Sequence, residues 1–210
     1  MSGRRIAAFD FDGTLTHRDT VVPFLVAAFG RPAVARAVAE VAPTAADARF
    51  RHRRTGAHPR DVTKAALLRR LTAGRPTDWF AERGRRFAAT LDRRLRPEMM
   101  EQALWHRSEG HELVLVSASL ATYLVPFAET HGFDHVIAVE LAHDAGGVLT
   151  GELDGPNVRG PEKAARLQSW LDGDQPDVLW AYGNSSGDAD LLALADIPVW
   201  VGRQGRVTRP

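Results

Sequence analysis

The chain has 210 residues, enough to bury a sizeable core as one domain with a large insertion or as one domain plus a small second one. It contains no cysteine, which excludes disulfides, thiolate metal sites and thiol nucleophiles, and a cytoplasmic location follows as the default. Net charge is only +1, yet residues 20–97 hold 17 basic against 6 acidic side chains and the remainder 10 against 20, so a basic segment is joined to an acidic one.

In chain order, Ile6 to Asp12 (IAAFDFD) reads as a short buried strand closed by Gly13. No secretory signal is expected, because two arginines are followed at once by an acidic motif. From Thr20 to about Arg94 the pattern turns to Ala-, Leu- and Arg-rich helices, punctuated at Gly30-Arg31-Pro32, Thr55-Gly56, His58-Pro59 and Gly74-Arg75-Pro76. Its most apolar run, Val21 to Phe29, is about half the ~20 residues that span a bilayer, so stable membrane insertion is not expected. After Pro97 come a helix to Ser108, a strand over Glu112 to Ser119, a helix to His131 and a strand over His135 to Leu141. Gly146-Gly147 between two β-like runs predicts a hairpin. A helix opened by Pro161, a strand over Asp177 to Gly183, a Gly-rich turn, a further helix and a last strand complete the chain. This alternation predicts an α/β fold: a Rossmann-like parallel sheet flanked by helices, formed by residues 1–18 and 95–210, with an all-helical cap insertion over 19–94.

Ligands of an open α/β sheet bind outside the carboxyl ends of its strands. Four polar clusters fall at such positions: Asp10 with Asp12, Ser117, Lys163, and Gly183 to Asp188 (GNSSGD). Asp10 and Asp12 alternate to the same side of an extended chain and repel each other unless a cation neutralises them, and a hard divalent ion such as Mg²⁺ suits oxygen donors. Such a pair can shield a phosphate, supply a nucleophilic carboxylate and handle a proton. Lys163 is one of only two lysines beside 25 arginines, and a compact ammonium fits a crowded carboxylate and phosphate site. His131 and His135 sit four apart, but Gly132 between them should end the helix, which argues against a metal pair.

These clusters resemble, in order, the motifs of the haloacid dehalogenase superfamily of aspartyl-phosphate phosphatases: FDFDGTLT, LVSAS, GPEKAARL and YGNSSGDADLL. A helical insert between the first and second motifs is similar to the cap of the phosphoserine-phosphatase-like branch. The resemblance implies Asp10 as nucleophile, Asp12 as general acid/base, and Ser117 and Lys163 as phosphate ligands. It implies Mg²⁺ held by Asp10, the Asp12 carbonyl and the fourth motif, here Asn184 and Asp188. Gly13, Thr14, Ala118 and Ser119 complete the phosphate surroundings.

Two departures matter. Many relatives have Asp where this chain has Asn184, so one negative ligand is lost and Asp188 is expected to compensate. Phosphoserine phosphatases have Ser after the second Asp and Gly-Gly after the second-motif Ser, where this chain has Gly13 and Ala118-Ser119. Their acidic amine-reading residue falls nine positions after the nucleophile, at Asp19, which equally suits a helix cap. The expected function is therefore Mg²⁺-dependent hydrolysis of a small-molecule phosphate ester: phosphoserine-like, amino-alcohol, sugar or lipid head-group phosphate. The alternatives are phosphotransfer through the same intermediate and a metal-weakened phosphate-binding module. No nucleic-acid partner is expected, since the aromatics of the basic segment do not interleave with its arginines. The sequence leaves the oligomeric state open.

Overall fold

The computed structural model describes residues 3–55, 58–202 and 207–208; Gly56 of the expected Thr55-Gly56 break lies outside them. Strand β1 (Arg5–Phe9) is buried from Ile6 onward and occupies the middle of a six-stranded sheet. With β2 (Glu112–Leu120), β3 (His135–Val139), β6 (Val178–Gly183), β7 (Ile197–Val201) and β8 (Val207–Thr208), the order is β3-β2-β1-β6-β7-β8. All neighbours are parallel except β8, which pairs antiparallel with β7. The order reverses between β1 and β6, so the crevice for a ligand opens at the carboxyl ends of β1, β2 and β6. The register sets Phe9 opposite Leu115 on one side and Tyr182 on the other, and Phe9 stacks on Tyr182 at 4.3 Å. Asp10 therefore emerges beside the end of β6 and next to the stretch of β2 that carries Ser117.

Between β1 and β2 the described residues form α1 (Val21–Phe29), α2 (Arg31–Thr55), α3 (Pro59–Thr72), α4 (Thr77–Ala88) and α5 (Pro97–Ser108). The chain leaves and re-enters the α/β layer side by side, with the Arg96 amide donating to the Leu15 carbonyl at 2.7 Å and the His17 amide to Arg94 at 3.0 Å. α3 starts at His58, whose ring accepts from the Arg60 amide, with Pro59 in the first turn. α4 turns Phe80, Gly84 and Phe87 inward onto α6 (Ala121–His131). Any side chain at Gly84 would meet the Thr122 carbonyl, since a Cβ there would lie 2.0 Å from it.

Packing across this boundary is continuous. Phe24 of α1 lies 5.4 Å from Phe80 and Phe87 and 5.0 Å from Tyr123 of α6, ring contacts worth roughly 0.5–1.5 kcal/mol each beyond their burial. The expected hairpin forms as β4 (Leu141–His143) and β5 (Leu149–Leu153), an antiparallel pair separate from the main sheet. It reaches the insert: the Gly74 amide donates to the Leu149 carbonyl, the Leu149 amide to Arg75 and the Thr77 amide to Gly147, all at 2.8–2.9 Å. α7 (Pro161–Leu171) and α8 (Ala189–Leu194) flank the sheet. His131 and His135 have separate partners, His131 bonding Asp92 and the Phe127 carbonyl while His135 stacks on Trp170.

Candidate active site

After β1 the chain turns sharply over Phe11–Leu15. Gly13 takes φ +84°, and a Cβ there would lie 2.0 Å from the Asn184 amide nitrogen, so glycine is required by both conformation and space. The turn folds Thr14 back so that its hydroxyl donates to Asp10 Oδ2 at 2.8 Å. Lys163 Nζ donates to Asp10 Oδ1 at 2.6 Å and to Asp188 Oδ1 at 2.6 Å. Asp10, Lys163 and Asp188 are 6%, 2% and 2% exposed, so two buried carboxylates share one ammonium.

That triad is unbalanced by one negative charge. Burial pushes the Asp10 carboxyl up, reinforced by Asp188 and opposed by Lys163. Asp188, despite its own burial, is held low by Lys163 and by the Ser185 and Asn184 donors. Burial alone would discharge Lys163, but the two carboxylates outweigh it and hold the ammonium above the ordinary lysine range.

Asp12 sits in a separate cradle. Its Oδ1 accepts from the Thr20 hydroxyl at 2.7 Å and its Oδ2 from the Ser119 hydroxyl, while Tyr123 Oη lies 3.0 Å from Thr20 Oγ1. Burial, then the nearby Asp19, push the Asp12 carboxyl up to about 7, against the pull of its two hydroxyl donors. A carboxyl tuned to that range exchanges protons readily at neutral pH.

Ser117 is buried at the end of β2, and its oxygen accepts from the Ser119 amide at 3.0 Å. Asp19 has both features weighed from the sequence: its Oδ1 accepts from the Val22 amide at 3.3 Å, capping α1, and it lines the cavity. Asn184 packs over Gly13. Both oxygens of Asp188 are committed, Oδ1 to Lys163 and Oδ2 to the Asn184 amide, the Ser185 amide and the Ser185 hydroxyl. Among the described residues no group of three His, Cys, Asp or Glu side chains is gathered for a metal. The donors that could hold an ion are instead the Asp10 carboxylate, the Asp12 backbone carbonyl and the Asn184 side-chain oxygen, beside a triad short of one positive charge. An all-oxygen set of that charge fits a hard divalent cation completed by water.

Asp10, Asp12, Gly13, Asp19, Ser117, Ala118, Ser119, Lys163, Asn184 and Asp188 all line one cavity of about 920 Å³. Thr14 lies behind it, against Asp10. The sequence reading missed Thr20 and a polar bridge between α3 and the loop before α7. Lys64 donates to the Ala118 carbonyl and, at 2.7 Å, to Asn157 Oδ1; Asn157 donates to Asp61 at 2.8 Å; Arg159 reaches His58 Nδ1 at 3.1 Å. Burial pulls the Lys64 ammonium down to about 8. The signal for Lys64 was available: it is the other of the two lysines, and the rarity that singled out Lys163 applies to it equally.

A buried strand-end carboxylate paired to lysine, a second carboxyl two residues on and a Gly-rich loop facing both recur as one unit in a known class. The chain belongs to the haloacid dehalogenase-like hydrolase family, whose model matches residues 7–193. Protein CicA of Caulobacter vibrioides is 35% identical over 196 residues, spanning 91% of this chain and 83% of that protein. In fold the chain is similar to a protein of unknown function from Bordetella pertussis Tohama I (TM-score 0.69, 23% identity, 92% of this chain and 87% of that one). It is also similar to a substrate-bound phosphoserine phosphatase (TM-score 0.63, 16% identity, 96% of this chain and 87% of that one).

Proposed function

We propose that the chain is a Mg²⁺-dependent phosphomonoester hydrolase working through a phosphorylated Asp10. The observation that carries this reading is the division of labour between the two aspartates: Asp10 kept beside Lys163, Asp12 tuned to about 7. Asp10 attacks phosphorus and forms an acyl phosphate as the bond to the leaving oxygen breaks. Asp12 gives its proton to that oxygen, then takes one from the water that cleaves the acyl phosphate, which returns both carboxyls to their starting state. Ser117 and Lys163 hold the phosphoryl oxygens, and Lys163 and the Thr14 hydroxyl orient the Asp10 carboxylate. Thr20 and Ser119 hold Asp12 in the rotamer that faces the leaving group.

Mg²⁺ would be held by the Asp10 carboxylate, the Asp12 carbonyl and the Asn184 amide oxygen, and when bound it neutralises phosphate charge. Asp188, with its oxygens committed, acts on the ion through its charge and through a water. Asn184→Asp therefore adds a ligand charge and is expected to lower the Mg²⁺ concentration for half-maximal activity several-fold, while KM rises because the new carboxylate repels the phosphate dianion. A Mg²⁺ titration of both proteins measures this, and superimposable curves would remove Asn184 from the metal shell.

The Asp12 assignment makes a pH prediction whose sign follows from its role. It must carry a proton to release a poor leaving group, and above about 7 it is ionised. For an alkyl phosphate, kcat/KM is expected to fall as pH rises through about 7, tenfold per unit well above it. An aryl phosphate, whose leaving group departs without a proton, should lack that limb. Identical profiles for the two ester types would reject Asp12 as the acid.

A further inference from the structure

The outer end of the cavity carries charge and apolar surface that the chemistry at Asp10 does not use. Arg18, Arg49 and Arg60 line it, all three are exposed, and among the described residues no carboxylate pairs with any of them. Elsewhere on the insert four arginines are paired, Arg36 and Arg70 with Glu40 and Arg85 and Arg86 with Glu82, and Arg75 and Arg83 lie over Trp79. One residue beyond Arg49, about 100° round α2, Phe50 is 92% exposed. Val22, on the cavity wall, is 50% exposed, Ala45 beside the cavity is half-buried, and Val21, Leu25 and Leu67 behind them belong to the core.

A single exposed apolar residue is ordinary on a protein surface. Here Phe50 follows Arg49, which lines a partly apolar cleft, on the segment that holds 17 basic against 6 acidic residues. A soluble phosphorylated metabolite would account for the cations but leave Phe50 and the apolar wall without a role. An anionic lipid surface engages both, because cations approach the headgroups while an aromatic ring enters the acyl boundary. No helix among the described residues is long and apolar enough to cross a membrane.

We propose that Arg49 and Phe50 of α2, with the mouth of the cavity at Arg18, Val22 and Arg60, form a docking surface for an anionic phospholipid bilayer. The phosphate ester then enters from that surface, its apolar part lying along Val22 and Ala45. The docking stands on the surface alone, whereas the entry of an ester rests on the phosphatase reading above.

The test mixes the full chain with vesicles of phosphatidylglycerol and phosphatidylcholine, or of phosphatidylcholine alone, and measures co-sedimentation. Each cation near an anionic leaflet multiplies the partition roughly fivefold, so three should favour the anionic vesicles by about a hundredfold, a preference that falls as salt is raised. Phe50→Ser should lower that partition roughly five- to tenfold and leave turnover of a soluble aryl phosphate unchanged. Phosphatidic acid carried in anionic vesicles should be hydrolysed faster than the same lipid carried in neutral ones. Equal binding to both vesicle types, or no binding beside intact aryl phosphate turnover, overturns the docking and spares the phosphatase reading. Preference for a soluble polyanionic ester without vesicle binding also overturns it, by assigning the cations to that ester. Vesicle binding without turnover of any ester sinks the phosphatase reading and leaves the docking standing.

Discussion

Asp10→Asn is expected to lower turnover by roughly 10⁴-fold or more, the scale on which loss of a nucleophile acts, with the fold intact. The amide oxygen can still accept from Lys163, which holds Asp10 Oδ1 at 2.6 Å, the NH₂ in place of Oδ2 can donate to the Thr14 hydroxyl, which reverses a bond that spans 2.8 Å in the wild type, and Lys163 keeps Asp188 as a counter-ion. What is lost is the charged oxygen that attacks phosphorus. The companion measurement is chemical: wild type quenched in acid during turnover should carry phosphate that survives acid and is released by hydroxylamine, as an acyl phosphate is. Asp10→Asn should carry none. Phosphate recovered on Ser117, or retained by the variant, would move the nucleophile elsewhere.

Lys163→Met should produce the largest loss of stability of any single change in the site. Removing the ammonium leaves Asp10 and Asp188 facing each other, both buried, and breaking a buried pair in this way costs about 3–5 kcal/mol. At roughly 2–4 °C per kcal/mol for a chain of this size, the midpoint should fall by about 6–20 °C. The deficit should shrink as pH is lowered, because the stranded carboxyls take up protons and the repulsion disappears. Thermal unfolding at pH 8 and pH 5, with a chelator present so that no cation replaces the ammonium, measures both effects. A deficit independent of pH would mean that Lys163 acts by packing and not by charge.

Thr20 illustrates what the sequence could not disclose. Its hydroxyl bonds Asp12, and with Ser119 it holds the carboxyl that burial pushes up to about 7, the one to which the proposed reaction gives the acid/base role. Ser119 is 107 residues from Asp12, and their meeting depends on how β2 lies beside β1. The same holds for Lys64 against Asn157 and Ala118, and for Asp188, for which the family resemblance implies a direct or water-mediated metal contact and whose oxygens bond Lys163 and its own loop. The hairpin was legible from Gly146-Gly147, yet its pairing with the Gly74 to Thr77 loop of the insert was not.

The sequence by itself determined the α/β class, the order of its strands along the chain, the helical nature of the insert and which polar residues fall at the strand ends. These follow from local rules: side-chain alternation, strand length, turn residues and the tendency of polar groups at strand ends to face one crevice. Only the tertiary structure decided which oxygen accepts from which donor, how burial raises the proton affinity of both aspartates, and that insert and sheet share one continuous apolar core. Those properties depend on burial and on distances between residues far apart in sequence, such as the 2.6 Å from Lys163 to Asp10 across 153 positions, which no local pattern encodes.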